Sequence, residues 1–264
     1  MQIATINSLR LHYAESGDPD GVPLVFANSL GTDFRIWDPL LPHLPAGLRL
    51  LRYDMRGHGL SDAPEGEYYM GDLVAEAAGL MDSLGIAGAV FVGLSIGGVV
   101  AQGLAAERPD LLRAMVLSNT AAKIGTPDSW ARRIATVRAE GIAAIAEGIL
   151  GLWFSKKFHE TRADELAGWR HMLTRTPVAG YTGCCAAMAE TDLRDSTARL
   201  ALPTLVLAGS EDGSTPPDLV RETAESIAGA RFEVIRGAGH IPCVETPEKM
   251  AALIAAFLEE NAIV

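Results

Sequence analysis

Ser95, in the run Gly-Leu-Ser-Ile-Gly, is the residue of this sequence best placed to act as a nucleophile. The apolar residues 89–92 before it predict a buried strand, and the uncharged residues after it predict a helix. A sharp strand-to-helix turn brings main chain too close for most side chains, so it favours small residues such as Gly93 and Gly97. The turn would expose the Ser95 hydroxyl and place the Ile96 N–H, at a helix N-terminus, where an oxyanion would form.

A serine hydroxyl needs a base to take its proton, and the base needs an acid to hold its orientation. With the nucleophile on such a turn, the expected chain order is serine, acid, histidine. Of the six histidines, only His240 follows a late predicted strand in a glycine-bounded loop, so it is the candidate base. Asp212 follows the apolar residues 205–208 and is the candidate acid, with its neighbour Glu211 as the rival. Asn119 follows the preceding predicted strand, but an amide there cannot serve as the acid.

Apolar strand patterns alternate with helical patterns on both sides of the serine. The predicted strands are residues 2–6, 9–16, 24–27, 48–54, 89–92, 113–118, 205–208 and 231–235. Helices are predicted between these strands at residues 70–84, 99–106 and 217–227, and after the last strand at residues 247–261. This alternation predicts an α/β fold with a mostly parallel central sheet flanked by helices.

The alternation stops between residues 121 and 199. Helical patterns replace it there, at residues 129–140, 142–153, 163–173 and 183–191. We therefore predict one core domain made of residues 1–120 and 200–264, and a helical cap domain of residues 121–199. A cap inserted on the carboxyl side of the sheet would lie over the crevice where open α/β sheets bind ligands.

Composition excludes several classes of partner. The 264 residues carry a net charge of −11, which argues against binding to nucleic acid or to an anionic membrane. Residues 86–106 carry no charge and have the length of a membrane span, but they divide into strand, turn and helix, so we do not expect them to cross a membrane. Residues 1–16 lack the pattern of a signal peptide. The cysteines Cys184, Cys185 and Cys243 suit a reduced, cytoplasmic setting. Dispersed histidines and the absence of zinc-like cysteine spacing predict no metal site.

Four motifs together resemble the α/β-hydrolase superfamily over essentially the whole chain: GLSIG, AGSED, GAGHIP and DMRGHGLSD. The resemblance implies the α/β-hydrolase fold with an inserted helical cap and no cofactor. It assigns five site positions: nucleophile Ser95, acid Asp212, base His240, and oxyanion-binding N–H groups of Leu30 and Ile96. Many members carry His-Gly before the first of these N–H groups, whereas this chain has Asn28 and Ser29, so the side-chain hydrogen bonds of that loop must differ. We expect His58, in the DMRGHGLSD motif, to fix a turn.

A narrower resemblance lies in ANSLGTDFRIWD, YDMRGHGLSD and the cap segment TPVAGYTGCCAAMAETDLRD. These stretches are similar to the 3-oxoadipate enol-lactone hydrolases of the aromatic β-ketoadipate pathway. Such enzymes open a lactone bearing a carboxymethyl group to 3-oxoadipate during protocatechuate and catechol degradation. The resemblance implies that the partner of this chain is a small anionic lactone, opened through an acyl-enzyme.

An acidic protein that binds an anionic lactone needs a local basic group. Arg132 and Arg133, beside Trp130, are the candidates in the cap, and Lys156 and Lys157 are their rivals. Two further cap side chains fit either the cap core or the pocket wall: Trp153 and Met188.

Other functions remain open on the same scaffold. A generic carboxylesterase or a cofactor-free perhydrolase would share the triad and differ only in the cap. A C–C bond hydrolase is a further relative, and a ligand receptor would bind with slow or absent turnover. The oligomeric state also stays open, with a homo-oligomer as one option.

Overall fold

The computed structural model describes residues 1–264 and contains one sheet of eight strands. The strands are β1 Gln2–Ile6, β2 Leu9–Gly17, β3 Val22–Ala27, β4 Leu48–Tyr53, β5 Ala89–Leu94, β6 Leu112–Ser118, β7 Thr204–Gly209 and β8 Arg231–Ile235. Every residue of β5 and β7 is buried. Because successive side chains of a strand point to opposite faces, both faces of the sheet are covered there. The predicted α/β fold is confirmed.

The strand order brings the ends of β3 and β5 side by side. The sheet runs β1-β2-β4-β3-β5-β6-β7-β8, and only the β1–β2 and β2–β4 pairs are antiparallel. After β3 the chain crosses to β4 on one side, and it then returns to β5 on the other side. The order therefore reverses between β3 and β5, and a crevice opens at such a switch point at the carboxyl ends of the strands.

Eleven α-helices accompany the sheet. Those outside residues 121–199 are α1 Met70–Ser83, α2 Ile96–Glu107, α9 Pro217–Ser226, α10 Pro242–Glu245 and α11 Pro247–Glu260. Those within residues 121–199 are α3 Pro127–Glu140, α4 Ala146–Trp153, α5 Lys156–Thr161, α6 Ala163–Thr174, α7 Val178–Glu190 and α8 Arg194–Thr197. Short 3₁₀ helices cover Phe34–Trp37, Leu41–His43, Pro109–Leu111 and Ile142–Ala144. No strand falls within residues 121–199, and none of the helices is long and apolar enough to cross a bilayer.

One hydrophobic cluster of 75 buried residues joins the sheet to the helices of residues 121–199. It contains the central strands as well as side chains of α3, α4 and α7, among them Val137, Leu150 and Tyr181. Helices α3 and α7 also pack closely against each other. Burial of apolar surface therefore holds these helices to the sheet.

Helix α7 begins at Val178, earlier than the predicted helix at residues 183–191. Glycines weaken a helix, so the sequence around Gly180 argues against one there. In the structure, the backbone of Gly180 lies directly against the backbone of Gly57, and a side chain at either position would overlap the other residue. Gly57 also has a positive φ of 76°. Glycine at 180 thus permits close approach between α7 and the turn that follows β4.

We predict that Gly180→Ala lowers the free energy of unfolding by about 1–3 kcal/mol, because the added methyl overlaps the Gly57 backbone. Gly151→Ala is the matched control, since this helix α4 glycine has open space where its Cβ would lie. Gly151→Ala should raise the free energy of unfolding by up to about 1 kcal/mol, because alanine favours a helix more than glycine does. Urea unfolding of both variants is the measurement, and equal stabilisation by both would contradict the packing account.

Candidate active site

Ser95 sits in a strained turn between β5 and α2. Its backbone angles are φ 57° and ψ −118°, a conformation that a residue with a side chain rarely adopts. Hydrogen bonds hold the turn: the Ser95 N–H donates to the Ser118 carbonyl at 3.0 Å, and Thr120 Oγ1 donates to the Ser95 carbonyl at 2.7 Å. Such strain persists only where surrounding contacts fix it, and it clusters at functional sites.

The flanking glycines are required by close backbone contacts. A Cβ at Gly97 would overlap the carbonyl group of Ala27, at the end of β3. A Cβ at Gly93 would overlap the carbonyl group of Gly97 in the first turn of α2. The glycine spacing around Ser95 therefore lets the helix approach both its own strand and the neighbouring strand β3.

Asp212 and His240 form a buried pair. His240 Nδ1 lies 2.9 Å from Asp212 Oδ2, and the histidine is 1% exposed. The carboxylate also accepts hydrogen bonds from the N–H groups of Ser214 and Thr215 at 2.7 and 3.0 Å. Burial alone would raise the pKa of Asp212. The interaction with His240 and the hydrogen bonds from Asn119 and the Thr215 N–H outweigh this effect, so the pKa is lowered. Asp212 is therefore a carboxylate held ready to orient an imidazole.

Two side chains that sequence reasoning missed complete this pair. Asn119 Nδ2 donates to Asp212 Oδ2 at 2.8 Å, and Thr215 Oγ1 donates to the same oxygen at 2.7 Å. Asn119 therefore helps to hold the Asp212 carboxylate in place. The rival acid Glu211 is exposed, and its carboxylate accepts from the Lys156 N–H at 3.3 Å. The carboxylate in contact with His240 is therefore that of Asp212.

The His240 loop is fastened to the end of helix α4. The His240 N–H donates to the Trp153 carbonyl at 2.7 Å. The half-buried Glu245 carboxylate accepts from the Gly239 N–H at 2.7 Å and from Ser155 Oγ at 2.5 Å. The position of the imidazole therefore depends on residues 153–155 as well as on the sheet, and no local pattern in the sequence marks this link.

The imidazole of His240 shares its pocket with two serines, Ser29 and Ser95. Ser95 and His240 line the same pocket, although no hydrogen bond joins them. Ser29 Oγ lies 3.5 Å from His240 Nε2, a distance too long for a strong hydrogen bond. Catalytic hydrogen bonds are often long without substrate and shorten in the complex. The arrangement leaves Nε2 available to take a proton.

Two backbone N–H groups flank the Ser95 turn without an acceptor. The N–H of Ile96 is the first of helix α2, and the N–H of Leu30 belongs to the loop after β3. Neither donates to any acceptor within the chain. They come from the carboxyl ends of β5 and β3, the two strands of the switch point. Two free donors at such a place can stabilise an oxyanion.

His58 supports the loop that carries Leu30. Its Nε2 accepts from the Gly31 N–H at 2.8 Å, which requires the neutral ring, and its Nδ1 contacts the Arg56 carbonyl at 3.1 Å. Burial lowers the pKa of His58 to about 4, so the ring stays neutral at pH 7. The expectation that His58 has a structural role agrees with these contacts.

A pocket of about 220 Å³ joins these groups. Its lining residues are Ser29, Leu30, Ser95, Ile124, Gly125, Ser129, Trp130, Arg133, Ile149, Leu152, Trp153, Tyr181, Gly213, Ser214, Thr215 and His240. The Arg133 guanidinium lies over the Trp130 ring, 5.0 Å from its centroid, and it has no carboxylate partner. An unpaired cation beside Ser95 suits an anionic ligand.

Four other cap candidates do not line this pocket. Arg132 precedes Arg133 on α3 and is exposed, because consecutive helical residues point about 100° apart. Lys156 and Lys157 are also exposed. Met188 is buried in the hydrophobic cluster instead. Of the sequence candidates for ligand contact, the structure therefore brings Trp130, Arg133 and Trp153 to the pocket.

Metal-ligating side chains are dispersed. No group of three or more His, Cys, Asp or Glu side chains is arranged to hold a metal ion. The three cysteines are buried and unpaired, and burial raises the pKa of each thiol. These thiols are therefore uncharged and pack as small apolar side chains.

We predict that His58 makes stability fall as the pH drops from 7 to 4. An unfolded histidine takes up a proton near its ordinary pKa of 6.5, whereas folded His58 does so only near 4. The free energy of unfolding should therefore decrease by about 3 kcal/mol across this window. In His58→Gln, whose amide oxygen can still accept from Gly31, that part of the slope should vanish. Urea unfolding at several pH values tests this, and parallel curves for both proteins would refute it.

Known proteins resemble this chain along nearly its whole length. It is 34% identical to 3-oxoadipate enol-lactonase 2 of Acinetobacter baylyi, over 97% of this chain and 95% of that protein. It is 36% identical to 3-oxoadipate enol-lactonase 1 of the same organism, over 91% of this chain and 90% of that protein. The crystal structure of the enol-lactonase from Burkholderia xenovorans LB400 matches with a TM-score of 0.95 and 38% identity, covering 98% of this chain and 100% of that one.

The family match agrees with these relatives and with the sheet topology. The sequence profile of the alpha/beta hydrolase family matches residues 24–253, which include Ser95, Asp212 and His240. The resemblance drawn from the motifs is thereby confirmed. The chain belongs to the alpha/beta hydrolase family.

Proposed function

We propose that this protein hydrolyses 3-oxoadipate enol-lactone to 3-oxoadipate through an acyl-enzyme on Ser95. The observation that carries the proposal is the unpaired Arg133 in the pocket shared by Ser95 and His240. Relatives named as 3-oxoadipate enol-lactonases, at 34% and 36% identity, support the choice of substrate. The fold alone does not select a substrate, so the proposal rests on this site.

Acylation uses the groups in the order that the geometry favours. Ser95 Oγ attacks the lactone carbonyl while His240 Nε2 takes its proton, and the carbonyl oxygen becomes an oxyanion between the N–H groups of Leu30 and Ile96. Asp212, with its lowered pKa, stabilises the imidazolium through Nδ1. The ring C–O bond then breaks, and His240 returns the proton to the leaving enol, which tautomerises to a ketone.

Deacylation repeats the same steps with water. His240 takes a proton from a water molecule, and the resulting hydroxide attacks the ester carbonyl of the acyl-enzyme. The bond to Ser95 Oγ breaks, and His240 returns the proton to that oxygen. The product carries one carboxylate more than the lactone, and the free enzyme is restored without a cofactor.

We assign the orientation of the substrate to Arg133, whose positive charge would bind the carboxylate of the lactone. The lactone carries a carboxymethyl group, and a guanidinium can bind a carboxylate with two parallel hydrogen bonds. Stacking on Trp130 holds the guanidinium in place, and the pocket is small enough to exclude much solvent. Both features strengthen an ion pair between enzyme and substrate, because screening by water is reduced.

We expect Ser95→Ala to reduce kcat by at least about 10⁴-fold on both the lactone and a neutral p-nitrophenyl ester, since the variant lacks the attacking oxygen. An unchanged urea midpoint would show that the fold is retained. Steady-state kinetics on freshly generated lactone is the measurement. Turnover near the wild-type rate would exclude Ser95 as the nucleophile.

We expect Arg133→Gln to raise KM for the anionic lactone about tenfold or more, with little change for a neutral ester, because only the anion loses a charged partner. Arg132→Gln is the matched control, as it removes the same charge from the exposed neighbouring position. Equal effects of the two substitutions, or equal effects of Arg133→Gln on both substrates, would contradict the assignment. A protein active on neutral esters alone would instead be a general esterase of the same family.

A further inference from the structure

Asn28 and Ser29 stand where many members of the superfamily carry His-Gly, and only the second of them faces the pocket of Ser95. The Asn28 side chain is held elsewhere, since its Oδ1 accepts from the Trp37 indole N–H at 3.2 Å. Ser29 lines the pocket, and its Oγ lies 3.5 Å from His240 Nε2. A glycine at position 29 would present no polar group to the imidazole, so the serine adds a hydroxyl to the site.

The Ser29 hydroxyl is buried and has no close partner. Ser29 is 1% exposed, and its Oγ forms no hydrogen bond within the chain apart from the long contact with His240 Nε2. The backbone of Ser29 is fixed, because its carbonyl accepts from the N–H and the hydroxyl of Thr32 at 3.1 and 2.7 Å. Leaving a buried hydroxyl unpaired is costly. The hydroxyl is therefore held in one place with hydrogen-bonding capacity to spare for a ligand in the pocket.

His240 Nε2 is the atom through which the proposed hydrolysis moves its protons. Nδ1 is bound by Asp212 Oδ2 at 2.9 Å, so Nε2 alone is free to take the Ser95 proton and pass it on. In acylation, Nε2 gives that proton to the departing ring oxygen, and in deacylation it takes a proton from the attacking water. Either oxygen, at hydrogen-bond distance from Nε2, comes within reach of a hydroxyl 3.5 Å from that nitrogen.

We propose that Ser29 is a further catalytic residue, whose hydroxyl binds the departing ring oxygen during acylation and the attacking water during deacylation. This inference rests on the proposed lactone hydrolysis. As Ser95 Oγ bonds to the carbonyl carbon and the tetrahedral intermediate collapses, the ring C–O bond breaks with its electron pair on the ring oxygen. That oxygen receives the proton of His240 Nε2, and the Ser29 hydroxyl donates a hydrogen bond to it while its negative charge develops.

Deacylation places water where the ring oxygen was. The water gives one proton to His240 Nε2, and Ser29 Oγ accepts a hydrogen bond from the other O–H, because a serine hydroxyl can rotate to donate or to accept. The hydroxide attacks the acyl carbon, the bond to Ser95 Oγ breaks, and Nε2 returns the proton to that oxygen. Ser29 is chemically unchanged at the end of both steps.

The position of Ser29 Oγ separates this role from oxyanion binding. In the proposed mechanism the oxyanion lies between the N–H groups of Leu30 and Ile96, whereas Ser29 Oγ lies beside the imidazole that serves the leaving oxygen. Loss of an oxyanion donor slows the reaction of every ester, whatever its leaving group. Loss of a donor to the leaving oxygen slows acylation most where that oxygen is strongly basic.

Ser29→Ala removes only the hydroxyl and tests its contact with the leaving oxygen. Ethyl acetate and p-nitrophenyl acetate transfer the same acetyl group, but ethoxide is a strong base, whereas p-nitrophenolate leaves without protonation. We expect kcat/KM, which reports acylation, to fall about tenfold or more on ethyl acetate and on the lactone. On p-nitrophenyl acetate it should fall less than about threefold, which also shows that the variant is folded.

The contact with water is tested by the lifetime of the acetyl-enzyme. We expect this intermediate to decay about tenfold more slowly in Ser29→Ala than in the wild type, so that it accumulates during turnover of p-nitrophenyl acetate. Mass spectrometry of quenched samples measures the acetylated fraction over time. A merely structural role of Ser29 would slow the formation of the acetyl-enzyme and not its decay alone.

Three results would overturn the proposal. Equal losses of kcat/KM on the two acetates would indicate a displaced loop or a missing oxyanion donor, and unchanged kinetics on both would show that the hydroxyl is idle. Unchanged decay of the acetyl-enzyme would refute the contact with water. If the wild type hydrolyses the acetates but not the lactone, the proposed substrate is wrong, while the comparison of the two leaving groups still tests Ser29.

Discussion

The site depends on one close contact, the approach of the α2 backbone to the end of β3. Gly97 lies against the Ala27 carbonyl, and no side chain fits between them. This contact keeps the turn after β5 beside the loop after β3, so Leu30 and Ile96 present free N–H groups at the switch point of the sheet. The strain at Ser95 is offset by the packing of the fully buried strand β5 before it and of the buried residues 96–105 of α2 after it.

The imidazole of His240 is positioned from two directions. From the sheet, Asn119 and Thr215 hold the Asp212 carboxylate, which in turn holds Nδ1. From the helical segment, the Trp153 carbonyl binds the backbone of the same histidine. A charged group buried without partners would be costly, whereas this carboxylate is fully hydrogen-bonded and its pKa is lowered. The end of helix α4 therefore contributes to the position of the imidazole.

The central strands could be predicted closely because buried parallel strands are continuous apolar runs: β7, predicted at residues 205–208, covers Thr204–Gly209 and is buried throughout. The start of α7 could not be predicted, because it depends on a contact between Gly180 and Gly57, which are far apart in the sequence. The support of Asp212 by Asn119 depends on the pairing of β6 with β7, which no local pattern shows. Likewise, choosing Arg133 over Arg132 requires the rotation of α3 relative to the pocket. The roles of the site residues and the division into core and cap domains remain predictions.

Two serines, Ser95 and Ser29, line the pocket of His240, and either hydroxyl could in principle be the nucleophile. The most direct measurement treats the protein with a serine-directed fluorophosphonate and maps the modified peptide by mass spectrometry. The account predicts stoichiometric labelling of Ser95, because only that hydroxyl stands on a strained turn beside the two free N–H groups. Labelling of Ser29, whose hydroxyl is 3.5 Å from His240 Nε2, would contradict it. A failure to label any serine would contradict it equally.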